Sequence, residues 1–218
     1  MTKTVYRYFF DFVEGQEKWL NHMAAKGYRL VRCGKVRYDF ERCRPGEYEY
    51  AVDFVGDKPW TKINDYKSFL ESLGYRTFSK NANWNLNLVK ARWRPWAKGM
   101  GQLATSPGGF NKELLIVEKQ RDGKPFHLHT DTGDLLNSYR TLRNAYLWGT
   151  FPLLVLVVLA VAKLLQDANQ GLSPSEIRFW LTAFLTALVA GCCVPLVKCI
   201  IKYARRVRRL KSERAPFE

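Results

Sequence analysis

Two stretches without a charged residue constrain this chain more than any other feature. Ala145 to Ala162 reads AYLWGTFPLLVLVVLAVA, and Phe179 to Val197 reads FWLTAFLTALVAGCCVPLV. At about 1.5 Å of rise per residue, either run as a helix covers most of the ~30 Å hydrocarbon core of a bilayer. Core helices of a soluble protein are the competing reading, but uncharged runs with cationic flanks are hard to bury in a chain of 218 residues. The sequence therefore predicts a transmembrane hairpin, with helices over 145–166 and 179–201 and a short extracytoplasmic loop over 167–178. A folded cytoplasmic domain over 1–130 and a juxtamembrane helix over 131–144 precede it, and a basic tail over 202–218 follows.

The placement of charge gives the hairpin a direction. Net charge is +15. Beyond the second run stand Lys198, Lys202, Arg205, Arg206, Arg208, Arg209, Lys211 and Arg214, opposed only by Glu213 and Glu218. Arg140 and Arg143 precede the first run. Between the runs, Lys163 and Arg178 balance Asp167 and Glu176. Cations flank spans on the cytoplasmic side, so both termini are expected in the cytoplasm. The opening MTKTVYRYFFDFVEG is charged and aromatic rather than a cleavable signal, which agrees with a front domain that stays in the cytoplasm. Mean hydropathy of −0.29 conceals the spans, because a polar front portion dilutes them. Of the five cysteines, Cys33 and Cys43 are expected as free thiols in reducing surroundings. Cys192, Cys193 and Cys199 fall in or beside the second run, as small packed side chains.

The front portion alternates strand and helix signals. Val5 to Phe10 reads as a central strand and Glu17 to Lys26 as a helix with Trp19, Leu20, Met23 and Ala24 on one face. Gly27 suits the left-handed position after its last turn. From Tyr28 to Glu41, Tyr28, Leu30, Val36, Tyr38 and Phe40 share one face, with a bend at Gly34. After the turn Arg44-Pro45-Gly46, Glu47 to Val55 alternates again, and the two strands are expected to pair as a hairpin. Tyr66, Phe69, Leu70 and Leu73 mark a second helix, ended by Gly74. Gly27-Tyr28-Arg29 and Gly74-Tyr75-Arg76 thus follow the two helices alike. The order strand, helix, hairpin, helix, strand predicts an α+β fold: a ferredoxin-like sandwich, an antiparallel sheet with two helices, built on split βαβ units. Trp93 to Asn111 reads as a loop, Leu114 to Glu118 as a short apolar strand, and Ser173-Pro174-Ser175-Glu176 as a capping box opening the second span.

Three constellations are candidates for function. In His127-Leu128-His129-Thr130-Asp131, alternate residues of an extended segment share a face, so His127, His129 and Asp131 could converge on a metal in a sensor or enzyme. Solvent-facing or helix-capping roles explain the same residues. Glu47, Glu49 and Asp53 on one strand, opposite Arg37, Asp39 and Glu41, suit either acid–base work or cross-strand ion pairs. Arg92, Trp93, Arg94 and Trp96 interleave cations with tryptophan; membrane-interface contact, partner contact, single-stranded nucleic acid and an ordinary loop folded on its sheet compete for them. The tail cations Arg205, Arg206, Arg208, Arg209 and Lys211 emerge from a span, which favours anionic headgroups over nucleic acid. No nucleophile–base pair, phosphate loop or H-E-x-x-H is present, so no catalytic residue and no cofactor is assigned.

WLNHMAAKGYRLV, YDFERC, EYEYAVDF and YKSFLESLGYRTF, with the later HTDTGDLLNSYRTL, resemble the bacterial family called domain of unknown function 2812. The resemblance covers Tyr6 to Leu142 and departs from the family pattern at Lys90 to Phe110, a longer connection here. It implies membrane attachment through C-terminal helices and genes often near PadR-type regulators, and it implies no activity. The function expected is a membrane-anchored binding or regulatory module that engages a protein partner or another copy of itself at the inner face. The alternatives are the metal-dependent sensor or enzyme and an accessory subunit of a transporter.

Overall fold

The computed structural model describes residues 2–56, 58–81, 87–88, 91–93, 103–104, 113–129, 132–169 and 177–214. It divides into two compact units, Met1–Ser138 and Tyr139–Glu218.

In the first unit one pattern occurs twice. β1 (Lys3–Tyr6), α1 (Glu14–Ala25), β2 (Tyr28–Cys33) and β3 (Arg37–Arg42) form a strand–helix–strand–strand half. β4 (Tyr48–Phe54), α2 (Trp60–Ser72) and β5 (Arg76–Lys80) begin a second. Three short strands, β6 (Asn87–Leu88), β7 (Ala91–Trp93) and β8 (Leu103–Ala104), intervene before β9 (Leu114–Gln120) completes it. The sheets run β1-β3-β2 and β4-β9-β5, so in each half the last strand lies antiparallel between the other two. Each is a split βαβ with its gap filled. The left-handed glycines match as well: Gly27 and Gly74 follow the helices at φ 77° and 82°, and Gly46 and Gly123 follow the last strands at φ 73° and 78°.

This pairing corrects the expected single ferredoxin-like sheet. The hairpin is β2–β3 closed at Gly34, where the Gly34 N–H bonds the Arg37 carbonyl at 2.7 Å. β4 pairs with β9 instead, Tyr50 opposite Glu118 and Phe54 opposite Leu114. The reason lies in the composition of β9: Leu114 to Val117 is buried on both faces, which suits a middle strand. The first strand is also earlier than expected, Lys3–Tyr6 rather than Val5 to Phe10, and Phe9 and Phe12 turn into the core instead. The expected loop from Trp93 is partly strand, since β7 pairs with β8.

Period-two alternation separates the two faces of the second sheet. Val55, Leu115 and Val117 pack with Ile63 and Leu70 of α2, joined by Tyr66, Tyr75, Phe126 and Leu128. On α2 the buried stripe is thus Ile63, Tyr66 and Leu70; Phe69 and Leu73, expected inside, are 59% and 53% exposed. The opposite face, with Tyr50, Val52, Phe54, Ile116 and Lys80, meets the first half. There Trp19 of α1 stacks edge-on against Tyr38 and Phe40 of β3 at 4.9 and 5.6 Å. α1 also covers the free edge of β4, an edge that would otherwise offer unpaired backbone groups. Asn21 accepts from Tyr50 N–H at 2.9 Å and donates to its carbonyl at 2.7 Å, while Glu17 accepts from Val52 N–H at 2.9 Å.

In the second unit, α3 (Thr132–Asn169) and α4 (Ile177–Arg214) are each unbroken through Pro152 and Pro195. Both are long and apolar enough to cross a bilayer, and most of their apolar windows lie open, with Phe151, Val158, Phe184 and Leu188 more than half exposed. Tyr203 of α4 stacks on Tyr146 and tilts against Tyr139 of α3, with ring centres at 5.6 and 5.9 Å. The capping box at 173–176 lies outside the described residues.

A Cβ on Gly27 would meet the Cys43 carbonyl at 2.8 Å, whereas Gly74 has open space. Gly74→Ala should therefore cost only the left-handed penalty, about 1–2 kcal/mol, and Gly27→Ala clearly more. Thermal unfolding of the full chain in mild detergent, followed by tryptophan fluorescence, checks the order. Equal losses would refute the close approach at Gly27.

Candidate functional site

The most polar part of the first unit's interior is a set of buried charged groups on the two faces of the second sheet. Facing the first half, Glu118 of β9 is only 3% exposed. Its Oε1 accepts from Arg29 Nε at 2.9 Å and Nη2 at 2.8 Å, and its Oε2 from the Tyr50 hydroxyl at 2.7 Å. The Tyr50 oxygen in turn accepts from the Leu30 N–H at 2.8 Å. Arg29 lies over the Tyr48 ring at 4.3 Å and reaches Glu41 at 3.7 Å. The bond from Glu118 holds the Arg29 guanidinium above its ordinary range, and burial pushes the Tyr50 hydroxyl up. Arg76, on the same face, donates to the Val31 carbonyl at 3.4 Å. β5 is thereby linked to β2 by one side chain that reaches a main-chain carbonyl.

Lys80, at the end of β5, is 2% exposed. Its Nζ donates to the Tyr38 hydroxyl and to Gln16 Oε1, the latter at 3.3 Å, and lies over the Tyr38 ring at 4.7 Å. Burial pulls this ammonium down to about 8 and pushes the Tyr38 hydroxyl up. A cation held among rings and neutral oxygens loses more hydration than it regains, which accounts for the direction.

On the face toward α2, Asp53 is 3% exposed and its Oδ1 lies 2.9 Å from His129 Nε2. Asp53 Oδ2 and the Tyr66 hydroxyl, both buried here, have no hydrogen-bond partner among the described residues. The bond to Asp53 raises the His129 pKa against the opposing effect of burial. Phe126 and Leu128 are pressed into the apolar cluster, so the segment before α3 is anchored by alternating residues.

These positions revise several sequence-based readings. His129 bonds a carboxylate of β4, His127 is exposed, and Asp131 lies outside the described residues. Among the described residues, no group of three His, Cys, Asp or Glu is arranged to hold a metal. Glu47, Glu49 and Asp53 do not oppose Arg37, Asp39 and Glu41, because those strands belong to different sheets. Glu49 instead meets Lys119 at 3.6 Å, and Asp39 meets Arg37 at 3.0 Å and Thr4 at 2.7 Å. Arg92 and Trp93 fall in β7, opposite Ala104 and Leu103, while Arg94 and Trp96 lie outside the described residues. Arg205, Arg206, Arg208, Arg209 and Lys211 all lie on α4. Glu118, Arg29 and Lys80 were not singled out from sequence. The available signal was the acid closing the apolar run LLIVE, in register with Leu114 and Ile116.

A histidine whose folded pKa is raised adds stability that is complete below its unfolded pKa of about 6.5 and fades as pH rises through the folded value. His129→Gln should thus destabilise the chain by about 2 kcal/mol near pH 6 and by less near pH 9. Thermal unfolding at both pH values reads this out. A loss independent of pH would mean that the pair is not ionised.

The profile of the family described as Protein of unknown function (DUF2812) matches residues 12–151, from just before α1 into α3. No curated protein and no solved structure matches the chain. The matched span covers α1, α2 and all three three-stranded sheets except β1, well over half of the sequence. The chain belongs to the DUF2812 family of proteins of unknown function.

Proposed function

We propose that this protein is a binding or regulatory module of a bacterial inner membrane, anchored by two spans, with both termini in the cytoplasm and the first unit engaging a partner protein there. The observation that carries the anchoring is the combination of open apolar flanks on α3 and α4 with cations that begin at Lys198. Apolar side chains on this scale are stable against lipid, and the cations then mark the cytoplasmic side.

Recognition rather than catalysis is favoured by the state of the buried charges. Glu118, Lys80 and Asp53 are each at most 3% exposed and are held by side chains of the fold. A substrate would have to displace those bonds to reach them. By contrast, Phe69 of α2 and Leu73 at its C-cap, one turn apart, present apolar surface outward. With Arg92, Trp93, Arg94 and Trp96 they are the proposed partner contacts; tryptophan and arginine are the residue types that dominate protein interfaces.

The protein should stay with the membrane pellet in alkaline carbonate, and a fluorescent protein fused after Glu218 should fold and fluoresce in the cytoplasm. A photo-crosslinking residue at Phe69 or Trp93 should give a defined protein adduct in cells that is absent when the probe replaces the exposed Arg42. Release by alkali refutes the anchoring, and no adduct from either position refutes the proposed contacts.

A further inference from the structure

Two depressions on the second unit meet at one residue. The first, about 320 Å³, runs between the helices and is lined by Leu154 and Val157 of α3 and Ala190, Cys193, Val194, Val197 and Lys198 of α4. It is apolar along its length. The second, about 680 Å³, is lined by Lys198, Ile201, Lys202, Arg205, Arg206 and Arg209. Lys198 belongs to both.

The helical repeat explains the junction. Ala190, Val194, Val197, Ile201 and Arg205 succeed one another at steps of three and four, so they form one ridge of α4. Along this ridge the side chains change from small and apolar to cationic at the end of the uncharged run, where a span would leave the hydrocarbon. The opposite face carries Tyr203, fully buried against Tyr146, which fixes the rotation of α4. Val194 and Ile201 remain 52% and 45% exposed beside the cations. Within the cationic stretch the acidic residue is Glu213, and it pairs with Arg209 at 2.9 Å, beyond the junction.

We propose that this composite groove is a binding site for an anionic glycerophospholipid: one acyl chain lies along Leu154, Val157, Ala190, Val194 and Val197, and the phosphate sits at Lys198, Lys202 and Arg205. A free anion would match the cationic half alone. A diacyl lipid with a net negative headgroup matches both halves and their order along the helix. The inference rests on the proposed two-span anchoring and goes beyond it, because topology requires cations near the membrane but not an apolar groove that leads into them.

The test uses the full chain in nanodiscs of phosphatidylcholine containing phosphatidylglycerol, released into mild detergent, with retained lipid counted by native mass spectrometry. The wild type should retain phosphatidylglycerol in preference to phosphatidylcholine. Each of Lys198→Gln, Lys202→Gln and Arg205→Gln should reduce that preference about fivefold, and Arg208→Gln, at a residue that lines neither depression, should leave it unchanged. Val194→Trp, which fills the apolar half and keeps every cation, should also abolish retention. A wild type that resists alkali yet shows no lipid preference overturns this site while the anchoring stands; release by alkali overturns both. Equal losses with Arg208→Gln, or retention undiminished by Val194→Trp, would reduce the site to diffuse surface charge and overturn it. So would inorganic phosphate that displaces phosphatidylglycerol completely.

Discussion

Glu118 is the point on which the arrangement of the first unit turns. A carboxylate removed from water is costly unless strong donors replace the solvent, and here the donors come from both halves of the fold: Arg29 from β2 and Tyr50 from β4. Because Tyr50 also accepts from the Leu30 N–H, the first sheet is tied to the carboxylate through main chain as well as side chain. The two split βαβ halves therefore have a fixed relation that apolar packing, being non-directional, would specify less sharply. The polar bonds of α1 to β4 and of Lys80 to Tyr38 and Gln16 cross between the same halves.

The doubled pattern also explains where variation is placed. In the first half, β2 returns to β3 through the short turn at Gly34. The corresponding connection in the second half holds β6, β7 and β8, together with Arg92 and Trp93. An insertion between the second and third strands of a half leaves the sheet order β4-β9-β5 unaltered. Long excursions of this kind, carried by a rigid frame, are where binding residues tend to occur. Asp53 and His129 do a separate task on the other face, fastening the residues just before α3 to β4.

Local signals were legible in the sequence where local physics decides. The uncharged runs, the amphipathic face of α1 with Trp19, Leu20 and Met23, and the left-handed Gly27 and Gly74 all follow from neighbours within a few residues. The repeated Gly-Tyr-Arg was a trace of the duplication that the structure displays in full. Strand pairing was not legible: β4 and β9 are separated by α2, β5 and three short strands, and alternation fixes which face is buried but not which partner is chosen. The same limit hid the core of the candidate site. Glu118 and Arg29 are far apart in sequence and become a pair only once β2 and β9 are brought together. Phe69 and Leu73 completed a regular helical stripe in the sequence, yet only Ile63, Tyr66 and Leu70 pack into the cluster on the sheet, and Phe69 and Leu73 stay exposed. His129 showed its chemistry in the sequence, but its partner, Asp53, lay on a strand expected to pair with the one that carries Arg37, Asp39 and Glu41.

A double-mutant cycle across the two halves tests most directly whether one buried carboxylate joins them. Arg29→Met, Glu118→Gln and the double variant of the full chain are compared by thermal unfolding in mild detergent. Each single change leaves a buried partner exposed to an unmet need, so the double variant should lose less than the two together, with a coupling of about 2 kcal/mol or more. Losses that simply add would show that Arg29 and Glu118 stabilise the fold independently, and the carboxylate would not be what locks the halves together.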